Sequence, residues 1–269
     1  MDKRLGKVNW GKGNSRLRTS EANWKKVYSW NASSASKRAP VRRRVFVASL
    51  ADWLDPEVPA EWLADLLKLV MECKHLDFLL LTKRPELFRD RIEAAFCSIG
   101  PAFDQYTPIE EREDWERSDS GKLHLWLVKW KYGVSIPDNV WVGTSVEDQT
   151  RADERIPALI KIPANVRFLS CEPLLEPVHI EPYLLTSAAK MAHNSQFVGN
   201  PSNTDKVHWV IAGGESGPEA RAVDPDWIRS LRDQCDEWGT AFFFKQWGGL
   251  NKKLSGRELD GRIWAERPF

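Results

Sequence analysis

The 269-residue chain has few cysteines, and the four it has (Cys73, Cys97, Cys171 and Cys235) never fall into a C-x-x-C pair. That spacing argues against a zinc ribbon and a secreted disulfide framework, and it supplies no local thiol cradle for an iron-sulfur cluster. Reduced thiols and a cytoplasmic location are therefore the expectation. The histidines His75, His124, His179, His193 and His208 are scattered, without an H-x-x-x-H or other zinc signature. No apolar run approaches the about 18 residues of a membrane span, and the MDKRLGKVNW terminus lacks a signal-peptide core, so neither membrane insertion nor export is expected. P-loop and G-x-G-x-x-G spacings are missing as well.

Net charge is nearly absent too, at +1, but the balance conceals an asymmetry. Residues up to Arg44 hold thirteen Lys or Arg against Asp2 and Glu21, which leaves the remainder acidic by ten charges. Trp10, Trp24, Tyr28 and Trp30 are interleaved with those cations. A basic, aromatic arm over residues 1–43 suits phosphates and stacked bases of a nucleic acid, and equally suits a solvated arm packed over a domain end.

What is present is a repeated pattern of short apolar runs that end in polar residues. Val45 to Leu50 leads to Asp52, Phe78 to Leu81 to Thr82, Lys83 and Arg84, and Val140 to Gly143 to Thr144, Ser145 and Glu147. Phe168 and Leu169 lead to Ser170, Cys171 and Glu172, Val207 to Ile211 to Gly213, Gly214, Glu215, Ser216 and Gly217, and Phe242 to Phe244 to Lys245 and Gln246. Six such strands alternating with helical patterns predict an α/β fold, a partial parallel barrel of the TIM type with its site at the carboxyl ends of the strands. The barrel is expected over 44–249, followed by a tail over 250–269 that folds back through Leu259, Ile263 and Trp264.

Helices are predicted over Glu61 to Lys74, Pro85 to Phe96, Asp148 to Ile162, and after Asp224, an N-cap followed by Pro225. Two stretches break the pattern. Residues 100–137 read as a polar surface insertion in which Leu123 to Tyr132 forms an extra strand or a short helix, and 186–206 as a mobile loop.

Neighbouring parallel strands lie about 4.8 Å apart, so carboxylates at their tips can converge. Glu147, Glu172, Glu215 and Asp52 are the candidate acids, with Lys83, Arg84 and Lys245 as cations at the same level. Such a cluster serves acid/base chemistry or a zwitterionic ligand, or it is a set of ion pairs closing a rim. Glu172, Glu147, Lys83 and Lys245 are the candidate catalytic residues. Gly213, Gly214, Glu215 and Ser216 are the candidate cofactor contacts, since glycines let backbone N–H groups approach a carboxylate or phosphate. Cys171 lacks a histidine partner and reads as a small buried hydrophobe.

The segments ADWLDPEVPAEW, LLLTKRPE, NVWVGTSVEDQTRADERIP, VRFLSCEPLLEPV, WVIAGGESGPEARAVDPDWIRSLRDQC and FFFKQWG resemble the successive motifs of the phage gene-product-37/68 family. Its members resemble radical S-adenosylmethionine enzymes, with an amino-terminal three-cysteine motif before a partial parallel barrel. The resemblance implies a phage or prophage protein, S-adenosylmethionine as a ligand, and roles for Lys83, Arg84, Glu147, Glu172, Glu215 and Lys245. This chain holds no three-cysteine group, so an iron-sulfur cluster is not expected on it. Two other functions stay open: a nucleic-acid-binding accessory protein, and a hydrolase using Glu147 and Glu172 with a divalent ion.

Overall fold

The computed structural model describes residues 13–36, 42–47, 51–101, 108–185, 205–250 and 255–268. The class is α/β, as expected: six parallel strands in the order β1-β2-β3-β4-β5-β6 alternate with helices, as in a partial parallel barrel. The chain divides into two compact units, Met1–Leu80 with Leu87–Val140, and Leu81–Glu86 with Trp141–Phe269. Among the described residues no helix is long and apolar enough to cross a membrane.

The first unit opens with α1 (Glu21–Ala35), followed by β1 (Arg43–Val47), which pairs in parallel with β2 (Leu76–Thr82). Helices α2 (Ala60–Glu72) and α3 (Phe88–Ile99) bury Leu63, Leu67 and Val70, and Phe88 and Ile92. Each such side chain contributes roughly 1.5–3 kcal/mol on leaving water. Residues 109–131 are not an irregular insertion: they fold as α4 (Ile109–Arg117) and α5 (Asp119–Lys131), joined at Ser118, whose Oγ caps α5 by accepting from Gly121 N–H. Leu123, Leu127 and Trp130 form one narrow buried stripe on α5. The apolar residues between them break the helical period, which is why LHLWLVKWKY reads ambiguously as strand or helix. Trp130 stacks on Trp53 at 6.2 Å and meets Phe88 edge-on, tying α5 to the core.

In the second unit β3 (Val140–Ser145), β4 (Val166–Cys171), β5 (Trp209–Gly213) and β6 (Ala241–Gln246) pair in parallel. Between them lie α6 (Gln149–Ile160), α7 (Glu181–Leu184) and α8 (Pro225–Glu237). The Asp224 carboxylate caps α8 as the sequence predicts, accepting from Asp226 N–H at 2.8 Å. The predicted loop at 186–206 falls almost wholly outside the described residues. The tail makes a short hairpin of β7 (Glu258–Leu259) and β8 (Arg262–Ile263). Leu259 is buried, but Ile263 is exposed, and Trp264 returns by accepting from Phe244 N–H through its carbonyl.

Gly143 stands directly opposite Phe168 in the β3–β4 register, and a Cβ there would lie 2.4 Å from the Phe168 ring. The ring takes the space that any side chain at 143 needs. Gly143→Ala should therefore cost about 1–3 kcal/mol of stability by overpacking, measured by urea unfolding. A variant as stable as the parent would show that Phe168 has room to move.

Candidate functional site

The strand ends of the second unit carry most of the predicted residues, and the backbone explains why. After β4, Leu174 N–H donates to Gly213 O at 3.0 Å and Leu175 N–H to Glu147 O at 2.9 Å. This loop is thereby fixed to the chain leaving β5 on one side and to the chain leaving β3 on the other. Glu172, the first residue of the loop, is followed by a cis peptide bond to Pro173.

Glu147 is nearly buried, and both of its oxygens are engaged. Lys83 Nζ donates to Oε1 at 2.5 Å, and Arg155 Nη1 donates to Oε2 at 2.8 Å and to Ser145 O at 2.8 Å. Burial alone would raise the carboxyl pKa, but the Lys83 hydrogen bond and the charges of Lys83 and Arg155 outweigh it and hold the group below its usual range. Glu172 has a similar setting: Lys245 Nζ donates to Oε2 at 2.9 Å and Gln246 Nε2 to Oε1 at 3.3 Å. Gln246 also donates to Ser216 Oγ at 2.6 Å, which joins the β4, β5 and β6 ends in one chain of contacts. The two carboxylates are 12 % and 15 % exposed, whereas Lys83 and Lys245 are 58 % and 50 % exposed. Anions at the base and cations toward water define the rim.

The glycine turn has a different logic. A Cβ on Gly214 would meet Trp247 O at 2.0 Å, and one on Gly248 would meet Glu215 O at 2.1 Å. Backbone runs against backbone here. Gly214 N–H donates to Gln246 O at 3.0 Å, Gly249 N–H to Glu215 O at 2.7 Å, and Gly217 N–H to Gly249 O at 3.2 Å. The close approach accounts for glycine at 214 and 248 without a ligand, and the N–H groups of Gly214 and Gly217 are already engaged. Glu215 is clamped by Arg221, whose Nε, Nη2 and backbone N–H all reach its carboxylate, and these hydrogen bonds hold its pKa below the usual range.

The remaining predicted residues have other surroundings. Asp52 belongs to the first unit, where its Oδ1 accepts from Leu54 N–H at 3.0 Å. The backbone N–H of Arg84 donates to Thr82 Oγ1 at 2.9 Å. Cys171 is fully buried, and burial together with the charges of Glu147 and Glu172 pushes its thiol pKa far up, away from the thiolate a nucleophile needs. Among the described residues no three His, Cys, Asp or Glu gather into a group that could hold a metal ion.

Sequence reasoning missed Arg155 and Arg221, and it placed Gln246 at a strand end without giving it a role. Gln246 is adjacent to Lys245, and the register shift between Ala212 and Gly213 accompanies its pairing beside Gly213. Arg221 follows Glu215 by six residues, a local signal that was available in the sequence.

A pH prediction follows for Glu147. Its folded-state pKa lies below the ordinary 4.5, so its contribution is fully present above that value and is lost as pH falls through the lowered folded-state value. Glu147→Gln should cost about 2 kcal/mol at neutral pH and flatten the acid limb of stability, as read by urea unfolding between about pH 3 and 7. An acid limb identical to the parent's would mean that the carboxylate is not held by these cations.

Comparison with curated proteins and with solved structures finds no match. A family described as a protein of unknown function, DUF5131, matches residues 1–268. Spanning all but the last residue, that match makes the chain a member of the DUF5131 family.

Proposed function

We propose that the strand-end rim of the second unit binds a small zwitterion of the S-adenosylmethionine class, in a phage-derived or prophage-derived barrel related to radical S-adenosylmethionine enzymes. The observation that carries this reading is the Glu172–Lys245 pair, an almost buried anion beneath a half-exposed cation at 2.9 Å. A partly exposed lysine gives up such a pair at little cost, because water and a flexible stem compensate it. The ligand's ammonium then takes the place of Lys245 on Glu172, and its carboxylate meets the displaced Lys245. Both charges stay paired.

Gln246 holds the other oxygen of Glu172 and fixes the plane of the acceptor. Ser216 Oγ, already accepting from Gln246, keeps its own O–H for a ligand acceptor. Glu215, clamped by Arg221, supports the rim and is not assigned to the ligand amine. When bound, S-adenosylmethionine supplies an activated methyl sulfonium; the side chains here bind and orient its amino-acid end. Calorimetric titration of the full chain should give saturable binding that weakens at least tenfold in Glu172→Gln and in Lys245→Met. Absence of binding, or affinity indifferent to both substitutions, would overturn the reading.

A nucleic-acid partner is the second reading, and a separate observation on the first unit favours it. Arg16, Arg18 and Arg42 of the basic stretch are engaged by Asp55 and Glu57, by Asp65, and by Asp77 and Asp138. Lys25 and Lys26 are exposed on α1, Lys25 in a loose 3.8 Å pair with Glu21 and Lys26 donating to Asn23, on the same helix as the exposed Trp30 and as Tyr28, whose hydroxyl donates to Glu72. These exposed α1 residues present cations and aromatic rings to a polyanion.

A further inference from the structure

We infer that the recess between α1 and the edge of β1 takes a single strand of nucleic acid. This rests on the nucleic-acid reading of the first unit and gives it a place and a kind of ligand. The recess has a volume of about 340 Å³ and is lined by Trp30, Arg43, Arg44, Val45 and Phe46. β1 heads the strand order and pairs on one side with β2. Among the described residues no strand pairs with the other edge of β1.

Three features of the lining fit an unstacked polyanion. Trp30 and Phe46 are 41 % and 44 % exposed, a large apolar surface to leave in water on one small area. Bases stack on such rings for about 1–3 kcal/mol each, and only unpaired bases offer their faces to them. Arg43 meets Ser33 Oγ at 3.3 Å and, among the described residues, no carboxylate. Its neighbour Arg42 differs, being held by Asp77 and Asp138. The sequence up to Arg44 carries thirteen cations against two acids, a local excess of the sign that a polyanion meets.

An acidic peptide laid along that other edge of β1 is the competing occupant. It would use the strand's backbone groups and Arg43, but it has no need of two exposed rings. The ring pair decides for nucleic acid, and single strands over duplex.

The test is fluorescence anisotropy with the full chain and labelled twelve-residue oligonucleotides, single-stranded and duplex, across a salt series. The single strand should bind at least tenfold tighter than the duplex. Trp30→Ala and Arg43→Ala should each weaken binding at least fivefold, with Arg43→Ala lowering the salt slope by about one. Trp30→Phe should retain most of the affinity, and circular dichroism melts check that the variants fold. No binding to any oligonucleotide would remove both the nucleic-acid reading and this site. Binding that ignores Trp30→Ala and Arg43→Ala would remove the site alone, as would a preference for duplex. Displacement of the strand by a polyglutamate peptide at equal charge concentration would give the edge to peptides instead. None of these outcomes touches the zwitterion reading, whose residues lie in the second unit.

Discussion

Two carboxylates held almost out of water impose the organising constraint on the second unit. A buried anion costs several kcal/mol unless cations and hydrogen bonds replace its hydration. Glu147 meets that demand with Lys83 and Arg155, and Glu172 with Lys245 and Gln246. Each partner comes from a different part of the chain: Lys83 from the turn after β2, Arg155 from α6, and Lys245 and Gln246 from the end of β6. Satisfying the two anions therefore ties three other segments to the ends of β3 and β4.

The backbone supplies the stiffness that these pairs need. The loop after β4 is bonded to the exits of β3 and β5, and the glycines at 214 and 248 let the exits of β5 and β6 touch main chain to main chain. Such contacts do not yield to a rotamer change, so charge can be exchanged at the rim without the frame moving. Glu147 is locked by a second, nearly buried cation, Arg155, whereas the one cation bonded to Glu172 is the half-exposed Lys245, which is why Glu172 with Lys245 is the pair open to a ligand.

Legibility in the sequence followed the strength of local signals. β2 is readable because Phe78 to Leu81 is an unbroken apolar run ending in Thr82, Lys83 and Arg84, and α8 is announced by Asp224 and Pro225. After Ser20 the sequence reads as a short helix over Glu21 to Lys26 and no further, while α1 runs on to Ala35, because EANWKKVYSWNASSA has no apolar face to mark it and buries only Ser34. The α4–α5 pair was hidden by acidic, mixed-period sequence whose helices depend on one narrow stripe packed on the core. At the site, residue types at the strand ends were legible, but their pairing was not. Lys83 with Glu147 and Lys245 with Glu172 join residues 64 and 73 apart, contacts that only the tertiary path creates. The glycine turn invited a ligand reading because sequence does not reveal that Trp247 O already occupies the space beside Gly214.

The central claim is that Glu172 exchanges its lysine for the ammonium of a zwitterion. A crystal structure of the full chain grown with S-adenosylmethionine tests this most directly. The account predicts the ligand's ammonium within hydrogen-bonding distance of the Glu172 carboxylate, with Lys245 turned to the ligand's carboxylate. A ligand bound elsewhere, with Lys245 still on Glu172, would contradict it.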